Sequence, residues 1–177
     1  ETEDEGSVLD DPICIAFDIS PGRRTSVVAS GMSRGRKKQV ELIHCRAGTG
    51  WVPERMVELC EKHDVVELIC DGFGPGNAIA QRIEEQTGLT VRRMKTGEYA
   101  DACGTFANDG EERDLVHIGQ DELTTSVRGA RTRPLVDRWA WSRSKSKTDP
   151  GPLIAASIAL WSMVDRDVAN REELVIF

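Results

Sequence analysis

The sequence predicts an α/β fold: a mixed five-stranded central sheet, three antiparallel strands followed by βα units, flanked by helices. Three observations predict it. Residues 13–45 hold three apolar runs joined by short polar links, the pattern of an antiparallel meander. From Pro53 onward, apolar runs alternate with stretches of helical periodicity, the pattern of βα units. Leu153 to Val164 is apolar almost all round, so a helix there must be buried against the sheet.

The elements follow in order. Ile13 to Ile19 is a nearly continuous apolar run, as in a central strand buried on both faces, and Ser20-Pro21-Gly22 turns the chain. Thr25 to Ser30 is a second strand, Gly31 to Lys38 a basic connection, and Gln39 to Cys45 a third strand. Pro53 suits the first turn of a helix that places Met56, Leu59, Cys60 and His63 on one face. Val65 to Cys70 is a fourth strand, which a right-handed crossover can lay parallel to the first and beside it. Asn77 can cap the next helix and Gly88 close it. Leu89 to Met94 is a fifth strand, and Tyr99, Cys103 and Phe106 mark a helix face. Leu115 to Ile118 fits an extended segment and Asp121 to Ala130 a helix, before Trp139-Ala-Trp141 leads to the final helix opened by Asp149-Pro150.

Composition narrows the class. The chain has 177 residues, 39% hydrophobic, enough for one packed domain and too apolar for wholesale disorder. Its longest apolar stretch is too short to span a bilayer, and no signal peptide pattern opens it. The first residue is glutamate, which suggests a processed chain or an excised domain. Five scattered cysteines without a C-x-x-C argue against a disulfide scaffold and fit a reducing compartment. His44-Cys45 and Cys60-x-x-His63 lack a second pair at zinc-site spacing. No G-x-x-x-x-G-K-[ST] is present, which excludes a P-loop.

The net charge of −7 is unevenly placed. Residues 1–11 hold six acids and no base, and read as an acidic linker before a domain spanning 12–177. Residues 22–38 carry six bases and no acid; residues 128–147 carry seven bases against Asp137 alone. Phosphate contacts depend on the face presented, so these stretches make nucleic acid a candidate partner despite the acidic total. Solvated loops would have the same composition.

The aspartates carry the chemistry. Cys14, Ala16 and Asp18 share one face of the first strand, so Asp18 is a charge inside an apolar strand. A buried carboxylate requires a base, a set of hydrogen-bond donors or a metal. Asp71 ends the fourth strand, and parallel neighbours would put the two carboxylates side by side. Asp149 at the start of the last helix completes a set of hard oxygen donors suited to Mg²⁺ or Mn²⁺. Each also has a plainer reading: Asp71-Gly72 as a turn, and Asp149-Pro150 as a helix start. His117 could act as acid or base, or be structural.

Phe17-Asp-Ile-Ser-Pro21, the strand ending at Asp71-Gly72, Leu115 to Leu123, and Lys147-Thr-Asp-Pro-Gly-Pro-Leu-Ile-Ala-Ala-Ser-Ile-Ala-Leu-Trp161 together resemble the nuclease domain of the large terminase subunit of tailed bacteriophages. The resemblance covers roughly residues 12–165 and lies in order and spacing more than in any one motif. It implies an RNase H-like fold of the retroviral integrase superfamily. It implies a metal-dependent endonuclease that cuts concatemeric viral DNA during packaging, in the host cytoplasm. Asp18, Asp71 and Asp149 fall on the family's catalytic, metal-binding acids. Two divalent cations, Mg²⁺ or Mn²⁺, are then expected, with Asp18 bridging them. Arg143, Lys145 and Lys147 are candidates for holding the scissile phosphate, and Arg34, Arg36, Lys37 and Lys38 for tracking the DNA backbone. The implied partners are double-stranded DNA, an N-terminal packaging ATPase whose motifs this chain lacks, and the portal and small terminase subunit. A junction-resolving nuclease of the same fold, an RNA-directed hydrolase and a non-catalytic DNA- or portal-docking module remain alternatives.

Overall fold

The computed structural model describes the backbone of residues 9–174 and the side chains of residues 9–166. Most of the acidic segment lies outside the described residues. Its last two members, Asp10 and Asp11, belong to the first strand.

Three strands open the fold: β1 (Asp10–Ile19), β2 (Arg24–Met32) and β3 (Lys38–Ala47), antiparallel in sequence order. Helix α1 (Val52–Lys62) leads to β4 (Val65–Asp71), and α2 (Gly76–Thr87) leads to β5 (Val91–Met94). Then come α3 (Thr96–Glu111), β6 (Leu115–His117), α4 (Asp121–Gly129), a hairpin of β7 (Thr132–Leu135) and β8 (Arg138–Trp141), and α5 (Gly151–Leu174). The main sheet runs β5-β4-β1-β2-β3-β6. As expected, β4 lies parallel to β1 and beside it.

The sheet has six strands rather than five. The sixth is β6, a three-residue edge strand parallel to β3. So short a segment has no periodicity to read, and only its partner makes it a strand. The same reason hid the β7–β8 hairpin, which carries Trp139 and Trp141 against the core.

Period-two alternation divides the core into two layers. Ile13, Ile15 and Phe17 of β1 pack with Met56 and Leu59 of α1 and Ile79 and Ile83 of α2. Cys14 and Ala16 face the other way, onto Tyr99 and Cys103 of α3 and Ile154 and Ile158 of α5. Residues 151–160 of α5 are all buried, since the helix lies on β1 and β2 and is covered by α3. Its small residues Ala155, Ala156 and Ala159 let it approach the sheet closely. Among the described residues no helix is long and apolar enough to cross a membrane.

One helix start and one helix end differ from expectation. Helix α2 begins at Gly76 behind Pro75, so Asn77 is inside the first turn and not its cap. The Asn77 Oδ1 instead accepts from Arg93 Nε at 2.7 Å. Gly88, at φ 73°, closes α2 in the left-handed conformation that glycine allows. In α1, His63 has left the helix and its Nδ1 stands 3.5 Å from Asp11.

A fork ties α2 to β5. Arg93 donates from Nη1 and Nη2 to the two oxygens of Glu84 at 2.9 and 2.7 Å, and the Val91 N–H donates to the same carboxylate at 3.1 Å. The arginine bonds, with the backbone N–H, pull the Glu84 carboxyl from its usual 4.5 down to about 2. A depressed carboxyl stabilises the fold above its unfolded pKa and loses that contribution as pH falls through its folded one. Glu84→Gln should therefore lower the thermal midpoint at pH 7. In paired scans the gap to wild type should shrink as pH falls from about 4.5 toward 2.

Candidate active site

Parallel pairing registers Ala16 with Ile69, so the C-terminal ends of β1 and β4 lie together. Asp18 and Asp71 stand at these ends, and both are buried. One cation lies between them. Arg143 Nη2 donates to Asp18 Oδ1 at 2.7 Å and to Asp71 Oδ2 at 3.2 Å. The arginine lies in the turn between β8 and α5, its guanidinium carbon 5.6 Å from the centre of the Tyr99 ring.

Asp149 lies just before α5, near enough for its charge to push the Asp18 carboxyl up. Its Oδ1 accepts from the Gly151 N–H at 2.8 Å, and the helix begins at Gly151, one residue later than Asp149 as cap with Pro150 in the first position would place it. Gly151 packs on Ser26, the residue paired with Asp18 across β1 and β2. A Cβ on Gly151 would come within 2.9 Å of Ser26 Oγ and 3.0 Å of Asp149 Oδ1, so glycine lets the helix start touch the sheet here. The nearest cation to Asp149 is Arg24, with Nε 3.8 Å from Oδ2.

Charge is incompletely balanced. Burial raises the Asp18 carboxyl to about 6; Arg143 pulls against that, while Asp71 and Asp149 push further up. Asp18 Oδ2 and Asp149 Oδ2 are buried without a hydrogen-bond partner. Such oxygens are costly and mark a place where a cation or donor would be favoured. The donor set is all carboxylate, the chemistry of Mg²⁺ and Mn²⁺. Among the described residues no three His, Cys, Asp or Glu side chains stand close enough to hold an ion as they are. The pair Asp18 and Asp71 is drawn in around a guanidinium instead.

The basic residues separate into groups. Lys145 and Lys147 are exposed on the turn that carries Arg143. That turn is tied to its neighbours by Ser142 N–H to Arg131 O at 2.7 Å and Lys147 N–H to Gly129 O at 2.8 Å. Arg34, Arg36, Lys37 and Lys38 are elsewhere. Antiparallel pairing sets Met32 opposite Asp10, so the β2–β3 turn sits at the far end of the sheet. That is about 25 Å from Asp18 along the strand. Lys38 is also occupied, with Nζ 2.9 Å from Asp109 and 3.2 Å from Asp114. His117 is exposed, its Nδ1 accepting from Gly119 N–H at 3.1 Å. His44 accepts from Arg55 Nε at 2.8 Å, which accounts for one member of the His44-Cys45 pair.

Several residues at the site were not singled out from sequence. Ser26 and Gly74 carry no local signal, and the sequence marks Tyr99 only as part of a helix face. The pairing of Arg143 with two aspartates was foreshadowed only by the rule that a buried carboxylate needs a counter-charge.

The loop after Asp71 is shaped by glycine. Gly72 N–H donates to Met94 O at 3.0 Å, and a Cβ there would lie 2.8 Å from that same oxygen. Gly72→Ala should therefore force the loop off β5 and destabilise the domain by roughly 1–3 kcal/mol, measured by urea unfolding.

No protein-family model matches the chain, and no curated protein matches it by sequence. Solved structures do match. The large terminase of bacteriophage HK97 superposes with a TM-score of 0.69 at 11% identity, over 87% of this chain. This chain spans 40% of that protein's length. The large terminase nuclease of thermophilic phage G20c matches with a TM-score of 0.66 at 15% identity, covering 91% of each chain. Its structure with bound magnesium matches with a TM-score of 0.62 at 15% identity, over 89% of this chain and 88% of that one. The chain thus has the RNase H-like fold of large terminase nuclease domains.

Proposed function

We propose that this chain is a metal-dependent DNA endonuclease, the nuclease part of a large terminase subunit that cuts concatemeric viral DNA during packaging. The observation that carries this reading is the meeting of Asp18 and Asp71 at adjacent strand ends, with Asp149 brought in by α5. Two of their buried oxygens have no hydrogen-bond partner. The likeness to terminase nucleases, one of them with bound magnesium, supports it.

Asp18, Asp71 and Asp149 would hold two divalent cations, Mg²⁺ or Mn²⁺. Bound there, these supply Lewis-acid polarisation of the phosphodiester and a water made nucleophilic at neutral pH. The chain's own residues do the rest. Burial of Asp18 and Asp71 keeps the carboxylates fixed and poorly hydrated, so they favour a cation strongly. Exposed Lys145 and Lys147 lie beside the site, where they can neutralise DNA phosphates. The remaining length of a large terminase would supply the packaging ATPase, and the assembly would act with the portal and small subunit in the host cytoplasm.

Supercoiled plasmid nicking tests this. Cleavage should require Mg²⁺ or Mn²⁺ and stop in EDTA. Asp18→Asn, Asp71→Asn and Asp149→Asn should each lose about 100-fold or more while unfolding cooperatively. Metal-independent cleavage, or full activity in all three variants, would refute the reading. A non-catalytic docking module would bind DNA without cutting it under any metal.

The placement of the bases gives a second test. Lys145→Ala with Lys147→Ala should flatten the dependence of log K on log salt by about 0.9 for each DNA phosphate left without its lysine. Arg36→Ala with Lys37→Ala, at the far end of the sheet, should leave that slope unchanged.

A further inference from the structure

We propose that Arg143 is an internal counter-cation of the Asp18–Asp71 pair, and that a divalent cation enters the site only by displacing its guanidinium. This rests on the reading of the three aspartates as metal ligands and concerns how that site is regulated.

The geometry is that of a placeholder rather than of a structural ion pair. A single nitrogen, Nη2, serves both carboxylates, at 2.7 and 3.2 Å. Arginine binds most firmly as a fork, with two parallel N–H donors on one carboxylate. The protein makes that fork elsewhere, between Arg93 and Glu84. At Arg143 the fork is unused, and Nε is buried without a partner. Asp18 keeps an unpartnered oxygen as well. Both groups are thus left with hydrogen-bonding capacity unmet, as when a guanidinium stands in for a compact charge. Gly74 keeps the spot clear: a Cβ there would lie 2.8 Å from Nη2 and 2.7 Å from Asp71 Oδ2.

The guanidinium also has somewhere to go. Arg143 is carried by a turn and by neither a strand nor a helix, and the turn is held by backbone bonds of Ser142 and Lys147. The side chain can swing away without breaking sheet or helix hydrogen bonds. Its remaining contact is the face of Tyr99, a cation–π shelf that makes no directional demand. A divalent ion brings twice the charge of the guanidinium into the same space, so the two compete directly. The ion-free domain is kept folded by Arg143, and its metal affinity is lowered by the same contact.

Calorimetric titration with Mn²⁺ at fixed pH tests this on wild type, Arg143→Gln, Arg143→Lys and Asp18→Asn. Arg143→Gln should bind Mn²⁺ about tenfold tighter or more, because a unit charge within ion-pair distance is gone. Arg143→Lys keeps a point charge and should stay near wild type. In EDTA the Arg143→Gln thermal midpoint should fall below wild type, and Mn²⁺ should restore it. Unchanged or weaker Mn²⁺ binding by Arg143→Gln would overturn the displacement. Where that variant folds only with Mn²⁺, it is titrated with a competing chelator. Loss of its metal at the same chelator concentration as wild type would likewise overturn the proposal. Asp18→Asn separates the two ideas. If it binds Mn²⁺ as wild type does, the aspartates are not the ligands and the reading of the site fails first. If it loses binding while Arg143→Gln is unchanged, only the displacement fails.

Discussion

The strongest constraint in this molecule is electrostatic: two carboxylates are buried side by side at the ends of adjacent parallel strands. Nothing in the apolar packing around β1 calls for them, and water cannot screen them there. Much of the surrounding structure follows. Gly74 leaves room for the charge between them, Gly151 lets α5 settle against Ser26, and Arg143 is drawn in from a distant part of the chain. The result is balanced only in part, since burial raises the Asp18 carboxyl to about 6 and two oxygens remain without a hydrogen bond. A site arranged this way gains from a cation more than it gains from further packing.

The rest of the domain keeps that arrangement rigid. β1 is sandwiched between two core layers, so neither its backbone nor its register can drift. Helix α5 is buried over its first ten residues, which sets the position of Asp149 as firmly as a strand would. Arg143, by contrast, is carried by a connecting turn. This division suits a centre whose carboxylates stay put while a mobile cation is exchanged.

The likeness to terminase nucleases persists at 11–15% identity. Such a fold needs only apolar residues at alternating strand positions and on one face of each covering helix. Many sequences satisfy these conditions, which explains why the fold can be matched in structure while family models find no match by sequence.

Sequence alone determined the strand and helix order through β5, the all-round burial of the first ten residues of α5, and the burial of a charge at Asp18. Each of these rests on local pattern: period-two alternation, a helix with no polar face, one charge in an apolar run. Tertiary structure decided what depends on partners distant in the chain. The edge strand β6 exists because β3 accepts it, and the β7–β8 hairpin because it packs against α3. The basic residues looked like two equivalent patches in one dimension. Antiparallel pairing sent Arg34 to Lys38 to the opposite end of the sheet from Asp18, while Lys145 and Lys147 stayed beside the site. Arg143 had the composition of a surface contact and became the half-buried partner of two aspartates, separated from Asp18 by 125 residues. Spacing along the chain does not encode such a meeting; the physical need to neutralise a buried charge selects it only once the sheet has closed.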